Sequence, residues 1–101
     1  MGRKKRPREG QRYGDRVNRL IISEHAIARV MEDITIGRDE AIRVIRESVS
    51  QARYVRHSLF QQGSTWKTNT WYFCIKPAEL PGEEGKDILL TAMRRDAIRR
   101  M

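Results

Sequence analysis

One cysteine, Cys74, stands in a chain of 101 residues. A lone thiol closes no disulfide within the chain and supplies no cysteine zinc motif. The expectation is therefore a reducing, intracellular setting, taken as the cytoplasm. Long apolar runs are missing too. Nothing approaches the ~20 residues of a membrane span, and no apolar stretch of a secretory signal follows the basic N-terminal residues. The sequence shows no carboxylate cluster of the two-metal nuclease kind, no glycine-rich phosphate loop and no Ser or Cys nucleophile motif. Two scattered histidines and one cysteine make a poor metal site, so neither metal nor cofactor is expected.

What the chain does have is positive charge, unevenly placed. The formal net charge is +8. Residues 1–16 carry seven Lys/Arg against two acids, residues 17–93 ten against ten, and residues 94–101 four against one. A neutral middle with two basic ends points to a polyanionic partner, RNA or DNA. The plain alternative is a pair of solubilising tails. Residues 1–16, with two glycines, one proline and no apolar periodicity, read as a disordered basic arm. Within that arm Arg3, Lys4, Lys5, Arg6 and Arg8 are the candidate phosphate contacts, joined by Lys67, Arg94 and Arg95 further on. "KKRPR" also fits a short nuclear-localisation pattern, as any phosphate-binding tail would.

Between the ends the period of the apolar residues changes once. Val17–Ile22 reads as a first strand or an extended lead-in. Ser23 is a good N-cap, and Ile27, Val30, Met31 and Ile34 follow at helical spacing. After a break at Gly37, Ala41, Ile42, Ile45 and Val49 give a second helix over 38–49, with Arg43, Arg46 and Glu47 on its wet side. From Arg53 the period is two. Arg53–Phe60 and Thr65–Ile75 read as strands separated by a turn at 61–64, and Ile88–Met93 as a covered strand after the loop 77–85. In the second of these strands Trp71, Phe73 and Ile75 share one face, and Trp66, Tyr72 and Cys74 the other. Trp71 and Phe73 read as core. Trp66 and Tyr72 stay open between core and a base-stacking surface. The expected fold is α+β: two N-terminal helices packed on a three- to four-stranded antiparallel sheet, with a domain at 17–93, the basic arm at 1–16 and a basic tail at 94–101.

Two clusters could carry chemistry. His25 and Arg29 are one turn apart on the polar side of the first helix. An imidazole titrates near ~6.5 and can take and return protons at neutral pH. A neighbouring guanidinium can grip phosphate as a fork. The plain reading is an exposed Glu–His–Arg face. The second cluster is Arg53, Arg56 and His57. Metal-independent RNA cleavage needs a base, an acid and cations for the developing charge. His25, His57, Arg29 and Arg56 are the right types if the fold brings them together.

The stretch "SEHAIAR", a short break, "RDEAIRVIRES" and then strands resembles a family of small single-domain proteins whose first helix carries S-x-H-A-x-x-R. These are similar in fold to RelE-type toxins, colicin D and barnase-like ribonucleases. Ser23, His25, Ala26 and Arg29 match, over a resemblance spanning about residues 20–93. Asp33 departs from the arginine usual there, and the glycine of "ITIG" comes later than usual. The resemblance implies a helix-capped antiparallel sheet that binds RNA and cuts it without metal, with His25 and Arg29 near the site.

The expected function is an RNA-binding protein, either a metal-independent endoribonuclease or translation-targeting toxin using His25 as acid and base, or a non-catalytic factor of a phage or mobile element. The non-catalytic factor would bind nucleic acid or modulate a host protein. Expected partners are RNA or DNA and, second, a protein such as an antitoxin or a host enzyme. No membrane is expected.

Overall fold

The computed structural model describes residues 7–98. Its elements, in chain order, are a 3-10 helix at Gly14–Arg19, β1 (Leu20–Ile22), α1 (Glu24–Ile34), α2 (Arg38–Gln51), β2 (Arg53–Val55), β3 (Ser64–Lys67), β4 (Trp71–Pro77), β5 (Asp87–Arg94) and α3 (Arg95–Ile98). Among the described residues no helix is long and apolar enough to cross a membrane.

Local chemistry sets the helix ends. The Ser23 hydroxyl accepts the Ala26 N–H at 3.1 Å and donates to the Leu90 carbonyl at 3.1 Å. One side chain thus starts α1 and pins it to β5, using an otherwise unsatisfied first-turn donor. Helix α1 ends at Thr35, whose left-handed backbone (φ 51°) lets its N–H close on the Met31 carbonyl. Ala26, Ile27 and Val30 of α1 and Ala41, Ile45 and Val49 of α2 are all buried. They form the apolar stripes that the sequence periodicity anticipates, and each large aliphatic among them is worth ~1.5–3 kcal/mol when removed from water.

The sheet has five strands in the order β1-β5-β4-β3-β2. It corrects the expected three- to four-stranded antiparallel sheet. β2, β3, β4 and β5 form an antiparallel meander, but β1 lies parallel to β5, with Leu20 opposite Asp87 and Ile22 opposite Leu89. The sheet is therefore mixed, and a third, four-residue helix follows β5. Strand β1 has only three residues, and its partner lies more than sixty positions away. No tight turn fixes the direction of such a pair, and hydrophobic periodicity does not encode it.

Three further expectations are corrected. The single strand over 65–75 is a hairpin. Thr68 Oγ1 accepts the N–H groups of Thr70 and Trp71, at 3.1 and 2.9 Å, and its own N–H reaches the Trp71 carbonyl. That hydroxyl-stabilised turn reverses the chain in a segment whose composition favours strand. The strand expected over 53–60 stops at Val55, and residues 56–63 fold over the sheet instead. The expectation of disorder through residue 16 is corrected for residues 10–16. Gly10 and Tyr13 bond the backbone of Tyr54 and Ala52, and Tyr13 is 2% exposed, wedged edge-on against Trp66 at 5.0 Å between ring centres. Its hydroxyl donates to Asp87 Oδ2 at 2.7 Å, beside the Arg16 guanidinium at 3.3 Å from the same oxygen. Residues 1–6 lie outside the described residues.

Candidate nucleic-acid interface

Strand alternation sorts neighbouring residues onto opposite faces. The register aligns Tyr54, Trp66, Phe73 and Ala92 across β2, β3, β4 and β5. This row meets the helices; Trp66 and Phe73 are each 1% exposed. Trp66, open at the level of sequence, is thus core. Its indole N–H donates to Ser64 Oγ at 3.0 Å. One position along each strand lies the next row: Arg53, Lys67, Tyr72 and Met93. It runs across the face turned away from the bodies of α1 and α2, the helix-free face apart from α3 at its end, and spans three strand spacings, roughly 14 Å.

This second face has three zones. In the middle, Thr65 and Cys74 are buried beneath residues 56–63, where the Leu59 N–H donates to Thr65 Oγ1 at 3.0 Å and the Cys74 thiol points at the Gln62 carbonyl. Burial pushes the Cys74 thiol pKa up, against the opposing effect of Lys76, so it stays protonated and is no nucleophile. At one end, Ile21, Ile88, Leu90 and Leu80 line an apolar groove of about 380 Å³ that also carries Lys76, Glu79 and Glu83. At the other end lies a pocket of about 280 Å³ lined by Gln51, Arg53, Lys67, Thr68, Asn69 and Arg95.

Among the described residues the basic pocket is lined by three cations and no carboxylate. Arg95 stacks over the Tyr72 ring at 5.4 Å, and its Nη1 donates to the Thr68 carbonyl at 2.8 Å. The side chain is thereby held in place, with other N–H groups of its fork free of described bonds. Arg53 spends one donor on the Gly10 carbonyl at 3.1 Å. Lys67 is exposed and makes no described hydrogen bond or ion pair among the described residues. Like charges gathered without a compensating acid are unfavourable for the fold and favourable for an anion. The end of α2 also contributes to the wall through Gln51, but its partial negative charge, about half an elementary charge, is small against three full positive ones.

The candidates from sequence divide accordingly. Lys67 and Arg95 meet in the pocket. Arg94, next to Arg95, faces Asp96 at 3.5 Å and pairs with Trp71 in the sheet instead. Arg8 is exposed, with its backbone N–H on Gln11 Oε1. Arg3, Lys4, Lys5 and Arg6 lie outside the described residues. His25 is exposed in the first turn of α1. Arg29 is half-exposed and lies 3.9 Å from Glu32. Arg56 and His57 are exposed on the segment after β2, where the Arg56 N–H binds Glu9 Oε1. Helix α1 packs on β5, and β4 and β3 stand between β5 and β2. The topology thus places the His25/Arg29 pair and the Arg56/His57 pair at different parts of the sheet, with no bond between the pairs among the described residues. Nor do three His, Cys, Asp or Glu side chains converge anywhere among the described residues in a way that could hold a metal.

Sequence reasoning missed Arg53, Gln51 and Asn69 as partners of Lys67 and Arg95. The signal was present in the threonine-flanked Asn69. A turn there sets Lys67 opposite Tyr72, whereas a continuous strand carries them apart. No family model, curated protein or solved structure matches this chain.

Proposed function

We propose that the protein binds nucleic acid, RNA first, through the basic end of its helix-free sheet face. The observation that carries this reading is the convergence of Arg53, Lys67 and Arg95 on one pocket with no carboxylate among its described lining residues. Phosphate contacts supply most of the affinity of such proteins and make it salt-dependent. The groove at the far end of the same face balances Glu79 and Glu83 with Lys76 and with Lys86, which pairs with Glu83 at 2.9 Å, so it offers a polyanion no comparable excess of positive charge. Arg8 and the basic residues 1–6 add charge to the same protein, and a tail adds affinity without specificity.

The test is fluorescence anisotropy with a short labelled single-stranded RNA, comparing the wild type with the combined Arg53→Ala, Lys67→Ala, Arg95→Ala variant. Loss of most of the binding, with an unchanged far-UV circular dichroism spectrum, supports the reading. Equal binding by a folded triple variant contradicts it.

A second reading, metal-independent RNA cleavage, rests on His25, exposed on α1 with Arg29 one turn further on. It no longer draws on Arg56 and His57. Incubation with RNA in EDTA beside a His25→Ala control decides it. Cleavage by the wild type alone supports a catalytic His25, and intact RNA in both samples removes it.

A further inference from the structure

We propose that the basic pocket recognises the terminal phosphate of a nucleic-acid strand, a phosphomonoester, in preference to the diester links within the strand. This rests on the nucleic-acid reading above and narrows it to one chemical group.

Charge gives the first argument. A diester link carries one negative charge, whereas a phosphomonoester carries about −1.5 to −2 at pH 7 and offers three free oxygens. The lining of Arg53, Lys67 and Arg95 supplies three positive charges with none to balance them. The donors match in number as well. Each guanidinium has spent one described N–H, on Gly10 or Thr68, and the Gln51 and Asn69 amides stand in the same wall. A fork held by stacking and by a backbone carbonyl, as Arg95 is, loses less freedom on gripping an anion than a free side chain does.

The second argument is the route a strand would take. An internal diester needs a way in and a way out. Along the sheet, residues 56–63 lie over the adjoining Thr65–Cys74 strip, which removes that strip as a track for the strand. On the opposite side the turn at Thr68–Asn69 and the end of α2 form the wall. The site, about 280 Å³ and open to solvent on its outer side, meets a covered strip on one flank and a turn on the other, an outline that suits the end of a strand.

The experiment uses one short RNA sequence in three forms: with a 5′-phosphate, with a 3′-phosphate, and with hydroxyls at both ends. Full-length protein is titrated with each. One phosphorylated form is expected to bind at least ~10-fold tighter than the hydroxyl form, the scale of one added charge-assisted contact. Which form wins identifies the end. Lys67→Ala should cut this advantage severalfold, while Arg43→Ala, on the solvent side of α2, should keep it. The advantage should also shrink between about pH 7.5 and 5.5, as the phosphate regains its second proton near ~6. Equal affinity for all three forms overturns the proposal and leaves the general reading standing. Failure of all three to bind at low salt overturns both.

Discussion

Two rows of residues cross the same four strands, one position apart, and meet opposite fates. Tyr54, Trp66, Phe73 and Ala92 face the helices, and Arg53, Lys67, Tyr72 and Met93 face away from them. The first row shares the core with Ile45, Val49 and Leu89. The second has two exposed cations at one end and an arginine stacked on its tyrosine. The pleat alone makes this division. Its lesson is that in a domain of this size a single sheet can give one face to the core and gather exposed positive charge on part of the other.

Breaking the helix-covered row should have the largest effect. Trp66→Ala removes a fully buried indole that touches both Tyr13 and Tyr54. The expected cost is about 3–5 kcal/mol, a large part of the total stability of a small domain. Urea unfolding should show either a much lower midpoint or no folded baseline at all.

The helix-free face is not uniformly tolerant, and Gly63 sharpens that point. Its φ is 86°, and a Cβ there would stand 2.8 Å from the Ile75 carbonyl and 3.1 Å from Cys74 Sγ. Gly63→Ala should cost about 1–3 kcal/mol by forcing a left-handed backbone on an L-residue and pushing the cover off the middle strip. The same unfolding experiment checks it, and faster alkylation of Cys74 in the folded variant would locate the damage.

A smaller effect tests how the N-terminal segment is tied in. Burial, then the hydrogen bond to Asp87, raises the Tyr13 phenol pKa well above its ordinary value near ~10, with Arg16 opposing. The folded protein therefore holds the proton more tightly than the unfolded chain. The stability this confers is fully present below pH ~10 and is lost progressively as the pH rises above it. Tyr13→Phe should cost about 1–2 kcal/mol at neutral pH and flatten the alkaline part of the stability curve. A variant with the same alkaline slope as the wild type would show that Tyr13 does not carry it.

How much of this could be read in the sequence follows the range of the interactions. Helices α1 and α2 were legible, because Ile27, Val30, Ile45 and Val49 repeat at a helical period, and the Ser23 cap sits where its hydroxyl predicts. The strands were legible as types but not in their pairings. Parallel β1–β5 pairing depends on residues far apart in the chain, and the turn at Thr68 hides in a run of strand-favouring residues. The place of Tyr13 in the core was invisible because glycines and arginines surround it on both sides. The basic site was half legible. Lys67 and Arg95 stood out as cations, but only the pairing of β2 with β3 brings Arg53 to them. His25 was conspicuous as one of two histidines, yet rarity in a sequence says nothing about what a fold gathers around a residue.

The most direct test of the central claim is the salt dependence of RNA binding by the wild type and by Lys67→Ala. Lys67 is exposed, so its removal should change stability by no more than about 0.5 kcal/mol. Affinity is measured between about 50 and 200 mM salt, and log K is plotted against log salt concentration. If Lys67 neutralises a phosphate, the slope for a single strand should become shallower by about 0.7, with weaker binding at every salt concentration. Identical slopes and affinities for the two proteins would contradict the account and place the nucleic acid elsewhere on the molecule.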